Sequence, residues 1–558
     1  MISYKYILEI SYLGLIFFTA LLLSLIFTPL STRLAGYLGI LDLPDPRKVH
    51  SSPIPRTGGL AMAASLFFSI FMCLKLTPEI KGFLSGAAVV VFLGMLDDKF
   101  SLPPKMKFLG EILAVVVFMN VSQISLQSLG DILGIGEIRL FFLGHLVTIF
   151  CMVGVMNALN LSDGLDGLAA DISVIACFFL FVFAYGHQDY LFASIIVILL
   201  GVILGFLRYN THPARLFMGD TGSLLLGYSL SAAAVAIVRQ RPGIQNVYPV
   251  SMAIVLALPI VDTVWVMLRR LIKGQKMFSP DKTHLHHRLM NLGLSHAGVV
   301  VVIYFLMSFF GFLAWAIRKW PEWTQFYLAL MIIVFIYALV ALVEGQKIKI
   351  PVRIRYQFKS GKIREHLIAW SGKSVRIVTP IFIAALLVPF LFLPAPARIY
   401  GLFALGMAFL LAVFFPWQGG KQQMTIAHAL LYLACFSSLL IYHFAYQTRW
   451  LTWYFLILSL FAFLWVVVRV LFKRRAQVLL PSSFEILLII FSWFIPFVCC
   501  SAFNLSLDTK HRIVLVCLQS IPLLGGIKVM LRRHARRNRW LALSFLVSFL
   551  VIGGRSFF

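Results

Sequence analysis

Apolar segments long enough to cross a bilayer recur along this whole chain, and no other feature limits its fold so strongly. They lie near 7–30, 59–76, 80–96, 108–124, 140–160, 168–185, 190–207, 222–238, 249–268, 298–317 and 323–343, each close to the 17–25 residues that a spanning helix needs. A basic connector at 346–376 follows. Beyond it, about seven more candidates occur near 377–394, 399–416, 424–446, 451–472, 484–505, 513–530 and 540–557. The expected fold is an all-α polytopic membrane protein with about eleven helices in a first region, 1–345, and about seven in a second, 377–558.

Composition agrees. Hydrophobic residues make up 61% of the 558 residues and charged residues 12%, a balance that a soluble domain could not carry on its surface. A net charge of +27 raises the question of nucleic acid. The basic residues are, however, spread over short segments between apolar runs, as in a membrane protein whose orientation is set by charge, so nucleic-acid binding is not expected. With the N terminus outside, alternate connectors and their flanks hold roughly 33 Lys and Arg against roughly 13 on the other face. The basic-rich face is therefore expected to be cytoplasmic. Seven cysteines (Cys73, Cys151, Cys177, Cys435, Cys499, Cys500 and Cys517) lie in or beside apolar runs without the spacing of a zinc or redox pair. The first run lacks a convincing cleavage site and is expected to stay as a signal anchor.

The polar residues that remain are concentrated. The stretch 157–170, NALNLSDGLDGLAA, places Asn157, Asn160, Asp163 and Asp166 three residues apart. On an unbroken helix each such step drifts by about 60°, so one face cannot present all four. Gly164 and Gly167 allow the backbone to leave the helix, and a helix end opening into a polar loop is expected. By the alternation of spans, this loop shares a face with four others: 33–58, 97–107, 208–220 and 269–296.

Each of these loops carries chemistry. The first, DLPDPRKVHSSPIPRTGG, holds Arg47, Lys48, His50 and Arg56 on a Pro/Gly frame suited to an anion. In the second, Asp97 and Asp98 end a span and Lys105 and Lys107 follow; adjacent carboxylates call for a nearby cation or a shared proton. The fourth ends in FMGDTGS, where Asp220 stands between Gly219 and Thr221. Asp220, Asn160 and the Asp pair are hard oxygen donors that suit Mg2+ or Mn2+ bound with phosphate oxygens. The fifth carries His284, His286, His287 and Arg288 beside Lys282, whose cations favour phosphate over zinc.

Together the Asp pair, NALNLSDGLDGL, FMGDTGS and HLHHRL, in this order, resemble the polyprenyl-phosphate N-acetylhexosamine-1-phosphate transferases, the initiators of bacterial O-antigen, enterobacterial common antigen and wall teichoic acid. The resemblance covers residues 1–345. It implies transfer of an N-acetylhexosamine-1-phosphate, foremost that of N-acetylglucosamine, from a UDP-sugar to undecaprenyl phosphate with magnesium, releasing UMP at the cytoplasmic face of the bacterial inner membrane. A homodimer is compatible with it. The resemblance implies metal ligation by Asn160 and Asp220 and gives Asp97 and Asp98 the lipid phosphate and its proton. Lys107 would bind diphosphate, Asn157 and Asp163 would line the polar wall, and Asp166 would read uracil. His284, His286, His287 and Arg288 would grip diphosphate and sugar, and Lys48 and His50 would meet the lipid phosphate. The acid that often follows the Asp pair in this family is replaced by Lys99, Phe100 and Ser101, and the second region has no counterpart in the catalytic unit. The alternatives are a lipid-linked-sugar transporter or flippase, which should carry ionisable groups at mid-membrane, and a transferase for another UDP-N-acetyl-sugar.

Overall fold

The computed structural model describes residues 4–42, 53–239, 247–272, 274, 283–294 and 296–345, with scattered helical residues between 404 and 551. Lys48, His50, the basic connector and most of the seven later candidate spans lie outside the described residues. The chain divides near residue 354 into two compact units. In the second unit, described residues such as Ala404, Leu411, Phe455 and Leu523 are fully buried.

The first unit is a helical bundle. Its helices are α1 (Tyr4–Leu38), α2 (Gly58–Cys73), α3 (Pro78–Phe100), α4 (Pro104–Ser122), α5 (Gly144–Ser162), α6 (Leu168–Gly186), α7 (Tyr190–Asn210), α8 (Gly219–Val238), α9 (Pro249–Val255), α10 (Ala257–Ile272), α11 (Leu285–Asn291), α12 (His296–Ala316) and α13 (Glu322–Gly345). Helix therefore covers each of the eleven apolar segments. Eight helices among the described residues are long and apolar enough to cross a membrane by themselves. The protein is a multi-pass membrane protein. Of the other expected spans, α2 has only 16 residues, and α4 carries Lys105, Lys107 and Glu111 in its first two turns.

The expected single span at 249–268 is a broken one. Helices α9 and α10 meet at an 80° bend. Pro259 supplies the cause: it has no N–H for the carbonyl of Val255, and its ring crowds that carbonyl, so the helix parts at Leu256. The connector 123–140 is more than a turn. It folds back on itself through a Ser128–Arg139 bridge, with Leu129 N–H donating to Ile138 O at 3.0 Å.

Helix α8 is the centre of the bundle, with 94% of its apolar window buried. Its sequence, GDTGSLLLGYSLSAAAVAIV, is rich in small residues, which let helices approach closely where lipid supplies no hydrophobic drive between them. A Cβ at Gly94 of α3 would stand 2.4 Å from Thr221 Cα, and one at Gly227 would stand 2.5 Å from Met156 Cα of α5. Tyr228 is completely buried and donates its hydroxyl to Phe83 O at 2.9 Å. Helices α3, α5 and α8 are thus locked near the residues that carry the polar loops.

Gly94→Ala should cost about 1–3 kcal/mol, because backbone rather than a side-chain tip must yield. Gly154→Ala on α5, where a Cβ meets nothing within 4 Å, should leave the melting temperature in detergent unchanged or slightly raised. Equal melting temperatures for the two variants would contradict the close α3–α8 approach.

Candidate active site

The ends of α3, α5 and α8 and the start of α4 meet in one polar cluster. A helix N-terminus presents unpaired N–H groups, and at α8 these are met by a side chain from another helix. Asp98 Oδ1 accepts from Asp220 N at 2.8 Å, and Oδ2 accepts from Thr221 N at 3.0 Å and from the Thr221 hydroxyl at 2.7 Å. Gly219 makes this possible: its φ is +68°, and a Cβ there would press within 2.5 Å of the Asp98 carboxylate.

With the backbone of Asp220 held, its side chain faces cations and an amide. Lys107 Nζ lies 3.1 Å from Asp220 Oδ1 and 2.8 Å from Asp97 Oδ2. Asn160 donates to Asp220 Oδ1 at 2.5 Å and to Ser223 Oγ at 2.8 Å. Arg56 Nη2 stands 3.5 Å from both Asp98 Oδ1 and Asp220 Oδ2. Asp97 Oδ1 also accepts from Leu102 N at 2.8 Å, closing the turn between α3 and α4.

Both acids of the pair are engaged within the protein. The Asp98 side chain is 1% exposed and that of Asp97 is 8% exposed. Asp98 caps α8, and Asp97 anchors Lys107. Asp163, at the C-cap of α5, has a different character: burial, reinforced by the charges of Asp220, Asp98 and Asp166 against the opposing Arg56, pushes its carboxyl up to about 7.

Asn157 donates to Val153 O at 3.0 Å and to Glu111 Oε2, so both its amide hydrogens are used and its oxygen is left as the acceptor. Glu111 is fully buried on α4, one turn beyond Lys107. It was overlooked in the sequence because it sits inside an apolar run; a lone acid in such a run is the signal that could have found it.

The third, fourth and fifth loops also touch. Asp166 Oδ2 accepts from Ala214 N at 3.1 Å and lies 2.7 Å from His212 Nδ1. His212 in turn stacks on His296 with centroids 4.3 Å apart. The His286 ring packs on Gly164, where a Cβ would come within 2.4 Å of Nε2. Burial, with His287 alongside, lowers His286 to about 4, so the ring is neutral near pH 7. His284 Nδ1 lies 2.9 Å from Asp262 Oδ2, while Asp262 Oδ1 accepts from Leu285 N at 2.8 Å and so fixes the start of α11. Asp262 was read in the sequence only as part of a span. His287, beside His286 with centroids 4.2 Å apart, is half-buried.

Arg288 is engaged by an acid of another helix. It is 4% exposed and forms a two-pronged pair with Glu344 of α13, Nε to Oε1 at 3.0 Å and Nη2 to Oε2 at 2.8 Å. Its guanidinium also lies 5.8 Å from the centre of the Tyr337 ring. It ties α11 to α13 rather than facing the acids.

Among the described residues no three His, Cys, Asp or Glu side chains form a ready cage for an ion. A magnesium ion bound with substrate phosphates needs only one or two protein carboxylates and keeps the rest of its shell from phosphate and water. The all-oxygen set of Asp220 and Asn160 fits that use. The soft or nitrogen-rich set that zinc would need does not occur around Asp220.

Residues 80–238 match the model of glycosyl transferase family 4. Over 321 residues the chain is 36% identical to a probable undecaprenyl-phosphate N-acetylglucosaminyl 1-phosphate transferase of Bacillus subtilis, covering 57% of this chain and 88% of that protein. A decaprenyl-phosphate N-acetylglucosaminephosphotransferase of Mycobacterium leprae is 37% identical, over 54% of this chain and 82% of its own length. An undecaprenyl-phosphate alpha-N-acetylglucosaminyl 1-phosphate transferase of Escherichia coli K12 is 31% identical, over 56% of this chain and 86% of its own length.

The Arg288–Glu344 pair yields a direct test. Arg288→Gln and Glu344→Gln should each lower unfolding stability by about 1–3 kcal/mol, a range reduced for the partial exposure of Glu344. The double variant should lose little more than either alone. Were Arg288 a diphosphate ligand instead, Arg288→Gln would weaken UDP binding and Glu344→Gln would not.

Proposed function

The chain belongs to glycosyl transferase family 4, and on that premise we propose that it transfers N-acetylglucosamine-1-phosphate from UDP-N-acetylglucosamine to a polyprenyl phosphate. Undecaprenyl phosphate is the acceptor we assign, and UMP is the second product. The observation that carries this reading is the joint hold on Asp220 by Lys107, Asn160 and Arg56 where the helix ends meet. A carboxylate, an amide and two cations gathered at one point suit a diphosphate and its counter-ion.

In the reaction an oxygen of the lipid phosphate attacks the β-phosphorus of the nucleotide sugar. A new P–O bond forms, the bond from the β-phosphorus to the bridging oxygen breaks, and that oxygen leaves with UMP. Magnesium, held by Asp220 and Asn160 with diphosphate oxygens, would neutralise charge on the leaving group. Lys107, fixed by Asp97 and Asp220, adds positive charge beside the diphosphate. Asp98 accepts three donors from α8 and Asp97 is held by Leu102 N–H and Lys107, so Asp163 is the acid better suited to take the proton of the lipid phosphate; its carboxyl near 7 matches that task. Asp166, with Oδ2 engaged by His212 and Ala214, keeps Oδ1 to accept the imide hydrogen of uracil. The neutral His286 ring at Gly164 would meet the sugar-phosphate side.

We assign this activity to residues 1–345, at the cytoplasmic face of a bacterial inner membrane, and an accessory role to 377–558. The family match, residues 80–238, falls within the first of these regions. A transporter is a weaker reading, because the acids and histidines described above gather where helix ends meet.

The test is UMP release by the purified full-length protein offered several UDP-N-acetyl-sugars with undecaprenyl phosphate. UDP-N-acetylglucosamine with magnesium or manganese should be turned over fastest, and chelation should stop the reaction. Asp220→Asn should lower turnover by about 10²-fold or more. Wild-type release by a folded Asp220→Asn protein at limiting magnesium would overturn the metal assignment.

A further inference from the structure

The loop entering α2 holds one arginine in an exact place and leaves it loosely bonded. Its residues Ile54 and Pro55 form a short strand, β2 (Ile54–Pro55), antiparallel to β1 (Leu41–Asp42). Phe217 N–H donates to Pro55 O at 2.8 Å, Arg56 N–H to Ile40 O at 3.2 Å, Gly58 N–H to Phe217 O at 3.0 Å and Gly59 N–H to Met218 O at 2.8 Å. The Thr57 hydroxyl donates to Ser31 O of α1 at 2.9 Å. A Cβ at Gly59 would stand 2.2 Å from Gly222 N, so this docking onto α8 needs a residue without one. The backbone on both sides of Arg56 is therefore tied either to α1 and its exit or to the segment that delivers Asp220.

The side chain is treated differently. Its Nη2 approaches Asp98 and Asp220 only to 3.5 Å, and a third of it is exposed. Lys107, by comparison, reaches its two acids at 2.8 and 3.1 Å and is 18% exposed. Asp98 already accepts three hydrogen bonds from α8, so it does not need the guanidinium. A guanidinium carries five N–H donors in a plane that matches a phosphate two at a time. Lys107 is held closely by its two acids, whereas Arg56, among the described residues, keeps most of its donors.

We propose that Arg56 binds phosphoryl oxygens of a substrate in this site, turning from the acids to the ligand. The proposal rests on the transferase reading above. The phosphoryl group belongs either to the nucleotide diphosphate or to the lipid phosphate, which share this chemistry and differ in assay.

Full-length Arg56→Gln and Arg56→Lys proteins, compared with wild type, separate the cases. UMP release is measured while UDP-N-acetylglucosamine and undecaprenyl phosphate are varied in turn. UDP binding with magnesium is measured by calorimetry, and folding by melting temperature. Arg56→Gln should raise the KM of one substrate by about tenfold or more, as expected for a lost charge-assisted hydrogen bond, with melting unchanged and part of the loss recovered in Arg56→Lys. A matching rise in the Kd of UDP assigns the contact to the diphosphate; unchanged UDP binding with a raised lipid KM assigns it to the lipid phosphate. Both KM values within about twofold of wild type, or a lowered melting temperature with a change in kcat alone, would overturn the proposal and leave Arg56 as a counter-charge. If wild type itself released no UMP, the transferase reading would fail, and the binding of UDP and of undecaprenyl phosphate to the two variants would still decide the role of Arg56.

Discussion

The capping of α8 by Asp98 is the interaction on which the rest of the site depends. The first turn of a helix carries unpaired N–H groups and the positive end of the helix dipole. Asp98 meets both with one carboxylate, through three donors of Asp220 and Thr221. Each charge-assisted bond of this kind contributes about 1.5–3 kcal/mol. The consequence is positional: Asp220 cannot rotate away with the backbone, so its side chain is delivered to Lys107, Asn160 and Arg56. Gly219 and Gly94 are required on either side, one for its backbone angle and one for the close approach of α3.

The bilayer accounts for the arrangement around that cap. Charged groups are costly within apolar surroundings, so most gather where helices end. Glu111 holds Asn157, Asp262 holds His284 and Leu285, and Glu344 holds Arg288. Each of these acids fixes a residue that the motifs bring toward the site, and none of the three belongs to a motif. The small residues of α8 allow this assembly to sit at the crossing of three closely packed helices.

Much of this was legible in the sequence for a physical reason: in a chain so apolar, polar residues are rare enough to mark the loops that matter. The helical segments follow from hydropathy, and the meeting of the loops that carry Asp97, Lys107, Asn160 and Asp220 agrees with the shared face expected of them. What could not be read are partners distant along the chain. Asp98 has as its partner a helix start 122 residues away, which nothing beside it in the chain announces. The partner of Arg288 lies 56 residues on, at the end of α13. The break between α9 and α10 has a local signal in Pro259, which continuous hydropathy on both sides conceals. Lys48 and His50 lie outside the described residues, so their expected contact with the lipid phosphate stands as a proposal.

The most direct measurement is an experimental structure of the full-length protein with UDP and magnesium bound. The account places the diphosphate beside Lys107, with the metal on Asp220 and Asn160, while Asp98 still accepts the N–H groups of Asp220 and Thr221 and Arg288 still pairs with Glu344. A diphosphate bound at Arg288 with the Glu344 pair broken, or a metal held by Asp98 with the α8 cap released, would contradict it.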